Sequence, residues 1–329
     1  MLKKLYSTVI IVAAILATDA SALAQASDGY PGKQAVRLIV PYVVGGPVDS
    51  LARALGAKLS EKWDQSVVVE NRAGANEIIG AQNLAKSKAD GYTLMLATDP
   101  TLSLNQFLFK SLPYDPEKDL TPVSRVAISN MVLATPADFP ANSLQEFVDY
   151  AKKNPGKISY GSSGLGNGTH LAMARFALDN NLKMEHVPYK GLAAVIQDML
   201  GSRVHATVGA ASVIAPYVTQ KRLKALAISG KDRASVLPNV PTFTQAGFPD
   251  FEAKFYYALV APAGVSDAIK SKIASDVHEI VNDPAFKKQY LDVFALEAVG
   301  DTPDEFAAFL DKDKKLASDL IERSGVKLD

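Results

Sequence analysis

Two glycine-rich turns hold the residue types best suited to chemistry in this chain. In the first, the apolar run Val36-Arg-Leu-Ile-Val-Pro-Tyr42 stops at Gly45-Gly46, and an amphipathic pattern opens near Asp49. In the second, Lys157-Ile-Ser-Tyr160 runs into Gly161-Ser162-Ser163-Gly164-Leu165-Gly166-Asn167-Gly168-Thr169-His170. Each reads as strand, tight turn, helix. Such a turn offers unpaired backbone N–H groups at the positive end of a helix, which suits an anion. Glycine there lets the backbone approach a ligand closely. Two anion cradles far apart in one chain suggest a small acid held between two lobes.

Other chemistry is less well served. Ser162 or Ser163 with His170 could be read as nucleophile and base, but the sequence lacks the G-x-S-x-G elbow of a hydrolase. Capping or packing in the first turn of its helix is the favoured reading of His170. Gly164-Leu-Gly166-Asn-Gly168 approximates a dinucleotide loop, yet its third glycine comes one residue early. His170, His186, His205 and His278 show no H-E-x-x-H spacing, so no metal site is expected, and no cofactor. Asp49 could act as a general base, but a helix cap is the plainer role for an acid at that point. The chain has no cysteine, which excludes disulfides, thiolate metal sites and cysteine nucleophiles.

The elements that must position these turns alternate. Val36–Tyr42, 67–72 and 92–98 read as strands, with helical patterns at 49–62 and about 78–88. That alternation argues a parallel sheet covered by helices. A turn-rich break follows at Leu112-Pro-Tyr-Asp-Pro116 and Leu120-Thr-Pro122. A second alternating set begins with a helix over 143–153, opened by Ser143 and Glu146 in capping-box spacing. It continues through strand 158–162, helix 169–180, strand 185–189, helix 192–200, strand 204–208, a helix near 215–221 and strand 223–229. After a break at Leu237-Pro-Asn-Val-Pro241 come strand 253–260 and helices at 266–282, 284–291 and 303–324. This tail is too small to fold alone, so the economical topology returns it to the first lobe. The chain then crosses a hinge twice, near 122–132 and 246–256.

The first residues read as an export leader. Lys3 and Lys4 precede an apolar run at 9–17, and Ala22-Leu-Ala24 suits cleavage. The run is short of the ~20 residues a spanning helix needs. No cysteine marks a lipidation site, and the mature chain is expected to begin near Gln25. Basic and acidic residues balance at 35 each. A near-neutral chain gives no electrostatic case for nucleic acid or an anionic membrane.

The chain resembles the periplasmic solute receptors of tripartite tricarboxylate transporters, the Bug family. The likeness runs over the whole mature length. It rests on Tyr30-Pro, Ile39-Val-Pro-Tyr42 with Gly45-Gly46-x-x-Asp49, Val69-Glu-Asn-Arg72-x-Gly74-Ala75, and Asp90-Gly-Tyr-Thr-Leu. Leu112-Pro-Tyr-Asp-Pro, Tyr160-Gly-Ser-Ser-Gly164 with Thr169-His-Leu171, and Val187-Pro-Tyr-Lys-Gly191 continue it. Leu223-Lys-Ala-Leu-Ala227, Leu237-Pro-x-Val-Pro-Thr242 and Ala261-Pro-Ala-Gly264 complete it. The resemblance implies an α/β, two-lobed type II periplasmic-binding (Venus flytrap) fold with two chain crossings at the hinge. Lobe 1 would comprise 25–125 plus 251–329, and lobe 2 126–250. It also implies capture of a small carboxylate in the periplasm for a membrane permease, with the receptor a monomer. Carried over residue by residue, the ligand-binding set is Tyr42, Gly45, Gly46, Asp49, Thr98, Thr101, Ser162, Ser163, Asn167, Gly168 and Thr169. A secreted hydrolase using Ser163 and His170, and a sensor that reports ligand without transport, are the alternative functions.

Departures from the family pattern bear on the ligand. Val44 stands where proline is common. Glu77 replaces a usual glycine, and a solvated acid at a helix start is its favoured reading. His205 and Gly209 stand where the family commonly has acids, so Gly209 leaves no partner for a ligand ammonium. A carboxylic acid without an amine, aromatic or dicarboxylic, is therefore expected, unless Glu77 or Asp99 supplies the charge. Gly209 and Ala210 would line one side of the slot. Tyr256 and Tyr257 would either stack on the ligand on the other side or pack the hinge.

Overall fold

The computed structural model describes residues 29–32, 34–251 and 253–328. The export leader and its cleavage site lie outside them. The fold is a two-lobed α/β arrangement strung along one mixed ten-stranded sheet, ordered β2-β1-β3-β9-β4-β7-β5-β6, with β8 and β10 also pairing to β4. The elements of the first lobe are β1 (Val36–Val40), α1 (Pro47–Trp63), β2 (Val67–Asn71), α2 (Ile78–Ala85) and β3 (Thr93–Ala97). A π-helical turn (Pro100–Leu104) and the short α3 (Asn105–Leu108) follow. β4 (Leu120–Pro136) leads to the second lobe: α4 (Leu144–Lys153), β5 (Ile158–Ser162), α5 (Gly168–Asp179), β6 (Met184–Pro188), α6 (Leu192–Leu200), β7 (Ala206–Ala210), α7 (Ala211–Thr219) and β8 (Leu223–Ile228). β9 (Lys254–Pro262), α8 (Asp267–Asn282), α9 (Pro284–Phe286), β10 (Leu296–Ala298) and α10 (Pro303–Ser324) close the chain.

Alternation along each strand builds a core on both faces of the sheet. In the first lobe Leu38, Leu94 and Leu259 fill one face, while Ile39, Met95 and Val260 fill the other. In the second lobe Met131 and Leu133 join one cluster, and Val132 and Ala134 the opposite one. β1 pairs in parallel with β2 and β3. β9 enters antiparallel to β3, which returns the tail to the first lobe.

The largest departure from the sequence reading is β4. The sequence reading puts a turn-rich break at Leu120–Pro122 and assigns no strand after it. The structure instead runs a 17-residue strand from there to Pro136. Its Leu120–Asn130 stretch pairs with β9, and Met131–Pro136 pairs with β7 and β8. This one strand therefore crosses between lobes near Asn130. Pro122 fits because the register shifts between Pro122 and Ser124, a place where a missing N–H costs no regular ladder bond.

Smaller differences have local causes. The helix read near 215–221 begins at Ala211 and holds Pro216 inside it. The helix read over 284–291 is one turn of α9 followed by π and 3₁₀ turns. Ser143 caps α4 as expected by accepting from Glu146 N, but Glu146 reaches past it to Asn142 N. No helix among the described residues is long and apolar enough to cross a membrane.

The lobes also meet away from the hinge. Leu104 and Leu108 of the first lobe, Leu171 of α5, and Ala317 and Ile321 of α10 share one apolar cluster. Arg323 on α10 pairs with Asp179 at the end of α5 at 2.9 Å.

Candidate functional site

The first cradle forms where β1 ends. Gly45 has φ +88°, a left-handed conformation that a side chain would strain. Gly46 is the N-cap of α1 and Pro47 its first residue, so no side chain caps this helix. Asp49 is thus not the cap that the sequence suggests. It sits in the first turn and reaches back, its Oδ2 accepting from Gly45 N at 2.9 Å and Arg53 Nε at 3.0 Å. Its Oδ1 accepts from Asn71 Nδ2 at 2.9 Å. The bond from Arg53, with those from Gly45 and Asn71, holds the Asp49 carboxyl down to about 2. Asp49 is buried and shapes the turn, while Val43 and Val44 at its tip are 71% and 69% exposed.

Beside this turn lies the main surprise. Glu77 is not a solvated helix-start acid: it is 3% exposed, in left-handed backbone at φ 72°. Its Oε1 accepts from Tyr42 OH at 2.5 Å and from the Thr98 hydroxyl. Its Oε2 accepts from Thr101 Oγ1 at 2.6 Å and Thr98 N at 3.2 Å. Burial raises its carboxyl above the ordinary range, and these donors oppose the shift. Three of the expected ligand contacts, Tyr42, Thr98 and Thr101, are therefore bonded to an acid of the protein itself.

The chain next to Thr98 brings a second buried acid. Asp99 opens the π turn, with one carboxylate oxygen lacking any hydrogen-bond partner. Burial pushes its carboxyl well up, and the charges of Glu77 and Asp313 push it further. A Cβ placed on Gly168 would lie 2.8 Å from its Oδ2, so α5 of the second lobe meets Asp99 of the first.

The second cradle is closed by neutral groups. Asn167 caps α5, its Oδ1 accepting from His170 N at 3.1 Å and from Thr169 Oγ1 at 2.8 Å. Thr169 Oγ1 in turn accepts from Ser163 N at 2.9 Å, and Asn167 Nδ2 donates to Ser163 Oγ at 2.8 Å. Ser163, Asn167 and Thr169 thus form one ring over the helix start, with Gly168 between them. A neutral, dipole-bearing helix end of this kind favours an anion.

The serine–histidine pairing seen is a different one from that suggested. Among the described residues no hydrogen bond joins Ser163 to His170. Ser162 Oγ lies 2.7 Å from His186 Nε2 and donates its proton to Gly164 O. His170 Nδ1 accepts from Gly166 N, and its ring stacks on His186 at 3.6 Å between centroids. Burial holds both imidazoles down at about 4, and for His170 the His186 charge adds to it. They form a neutral plug beneath the cradle. His186, weighed from the sequence only as a metal ligand, is brought to Ser162 by the pairing of β5 with β6.

The remaining candidates lie further back. A Cβ on Gly209 would meet Leu192 Cδ2 at 2.6 Å, so this position is covered by α6 and an acid there would have to displace a leucine. Ala210 is the N-cap of α7. His205 bonds to Ser159 at the start of β5, the opposite end of that strand from the cradle. Tyr256 donates to Asp313 at 3.1 Å and packs edge-on against Phe306 and Phe309. Tyr257 packs on Phe255. No group of three or more His, Asp or Glu that could hold a metal occurs among the described residues.

Two lobes on a shared sheet, two crossings, and a helix end of one lobe meeting Asp99 of the other mark the periplasmic-binding class. Solved structures agree: one described as a periplasmic transporter superposes with TM-score 0.80 at 36% identity, covering 91% of this chain and 100% of that one. The R. palustris protein Rpa4515, solved with adipate, gives TM-score 0.81 at 29% identity, covering 90% and 98%. The periplasmic binding protein BugD gives 0.76 at 28%, covering 90% and 99%. The model of the tripartite tricarboxylate transporter family receptor matches residues 51–326, and the chain belongs to that family. Protein BugT of Bordetella pertussis is 32% identical over 322 residues, 97% of each chain.

Proposed function

We propose that this protein captures a small carboxylate in the periplasm and presents it to the membrane subunits of a tripartite transporter. The observation that carries this is the neutral ring of Ser163, Asn167 and Thr169 over the α5 N-terminus, where α5 meets the first lobe at Asp99. It leaves the first-turn backbone N–H groups and the helix dipole to an anion, with no charged side chain of its own. The adipate bound to the related Rpa4515 supports the same ligand class. Two separate core systems support a first lobe of 25–125 plus 251–329 and a second of 126–250, with the ligand between them. Export after cleavage near Ala24, and action as a monomer, complete the reading. The protein acts as a receptor and not as a hydrolase, because the Ser163 hydroxyl has no imidazole to take its proton.

Thermal unfolding with a panel of carboxylic acids tests this. A ligand at 100 times its dissociation constant should add about 2.7 kcal/mol of stability. No shift with any acid would refute the proposal. Turnover of ester substrates that is lost in Ser163→Ala would favour a hydrolase instead.

A further inference from the structure

The two cradles offer an incoming acid unequal terms. In the first lobe, every donor that the Tyr42, Thr98 and Thr101 side chains possess is already directed at Glu77. A carboxylate has about four lone-pair sites. Two hydroxyls reach Oε1, and a hydroxyl and a backbone N–H reach Oε2, so those sites are filled. Glu77 therefore stands, bond for bond, where a ligand carboxylate would be held by this wall. It offers no free acceptor to a ligand ammonium either. Asp99 follows in the same wall, buried, with an unpartnered oxygen.

We propose that Glu77 is a resident carboxylate that fills the first-lobe cradle and makes this receptor selective for monocarboxylates over dicarboxylates. The inference rests on the carboxylate-receptor reading above and names the ligand class within it. A ligand's single carboxylate goes to the neutral ring at α5. Its other end meets the wall filled by Glu77. An apolar or hydrogen-bond-donating group is tolerated there, and Asp99 has an oxygen free to accept from a donor. A second carboxylate would find the Tyr42, Thr98 and Thr101 donors already bonded to Glu77. That is discrimination by an occupied site, not by better contacts to the chosen ligand.

Calorimetry on matched pairs tests this: butyrate with succinate, hexanoate with adipate, benzoate with terephthalate. The proteins are the wild type, Glu77→Gly and Glu77→Gln. In the wild type the monoacid of any pair that binds should be tighter by about tenfold or more. Glu77→Gly frees the donors and suits the left-handed backbone, so it should narrow or reverse that ratio by about tenfold. Glu77→Gln keeps the cradle filled but removes the charge, and should narrow the ratio less. It also serves as the readout if the glycine variant lacks a cooperative melt. A wild type that binds the diacid as well as the monoacid overturns the inference and leaves the receptor reading standing. A ratio unchanged in both variants does the same. Binding of none of these acids by any of the three proteins overturns both.

Discussion

The two cradles are built on one plan and finished differently. Each follows a parallel strand and leads into a helix through glycines. The α5 end is closed by a ring of neutral amide and hydroxyl groups, with Asp99 of the first lobe lying against Gly168. The α1 end is closed by Asp49, which takes the Gly45 N–H, and the wall beside it is filled by Glu77. The difference teaches that a glycine-rich turn before a helix marks where an anion can bind, not whose anion it is. In the first lobe the protein supplies both acids itself.

The sharpest way to break the comparison is to remove the resident acid without admitting water. Glu77→Met fills the space but offers no acceptor to Tyr42, Thr98 or Thr101. Each buried donor left unpaired costs about 1–3 kcal/mol, so the loss should be on the order of 3 kcal/mol or more. Chemical denaturation measures it, and a loss under about 0.5 kcal/mol would show that Glu77 is not bonded as described. Gly46→Val tests whether the first turn still touches ligand. A Cβ there has room, its nearest neighbour being Val43 O at 3.9 Å, so the fold should survive. Affinity for any bound acid should fall by about tenfold or more if the turn lines the site. Unchanged affinity would leave the second cradle as the sole anchor. Ser163→Ala opens the ring at α5 and should weaken carboxylate binding by about 1–3 kcal/mol, read by calorimetry.

The smallest expected effect concerns pH. His170 and His186 have pKa values lowered by burial to about 4, against 6.5 in the unfolded chain. Their neutral forms are favoured by the fold. The stability they contribute is complete above pH 6.5 and is lost as pH falls from there toward about 4. Glu77 and Asp99, raised by burial, act in the opposite sense, since the folded state takes up their protons first as pH falls. His170→Asn keeps an acceptor for Gly166 N and removes one titration. Its melting temperature should decline less steeply than the wild type's across that window. An identical slope would show that the pair does not titrate as described.

Much of this was legible in the residues, for reasons that are local. The strands around Leu38, Leu94 and Ile158, the capped helices behind them and both glycine turns follow from periodicity and turn chemistry, which neighbouring residues set among themselves. Asn167 as a cap and Ser143 with Glu146 belong to the same class, although Glu146 chose Asn142 as its partner.

What needed tertiary structure involves partners distant in sequence. β4 reads as a break because Pro122 and the polar Ser124, Ser129 and Asn130 interrupt its pattern. It is a strand only because β9, some 130 residues on, supplies its ladder. Glu77 reads as a surface acid because nothing adjacent announces Thr98 and Thr101. Burial of a carboxylate is decided by the donors that surround it, and those arrive on the segments that follow β1 and β3. The residues by themselves determined two glycine-rich turns that each open a helix. Tertiary packing decided that Glu77 fills the wall beside the first turn and that Asp99 lies against the second.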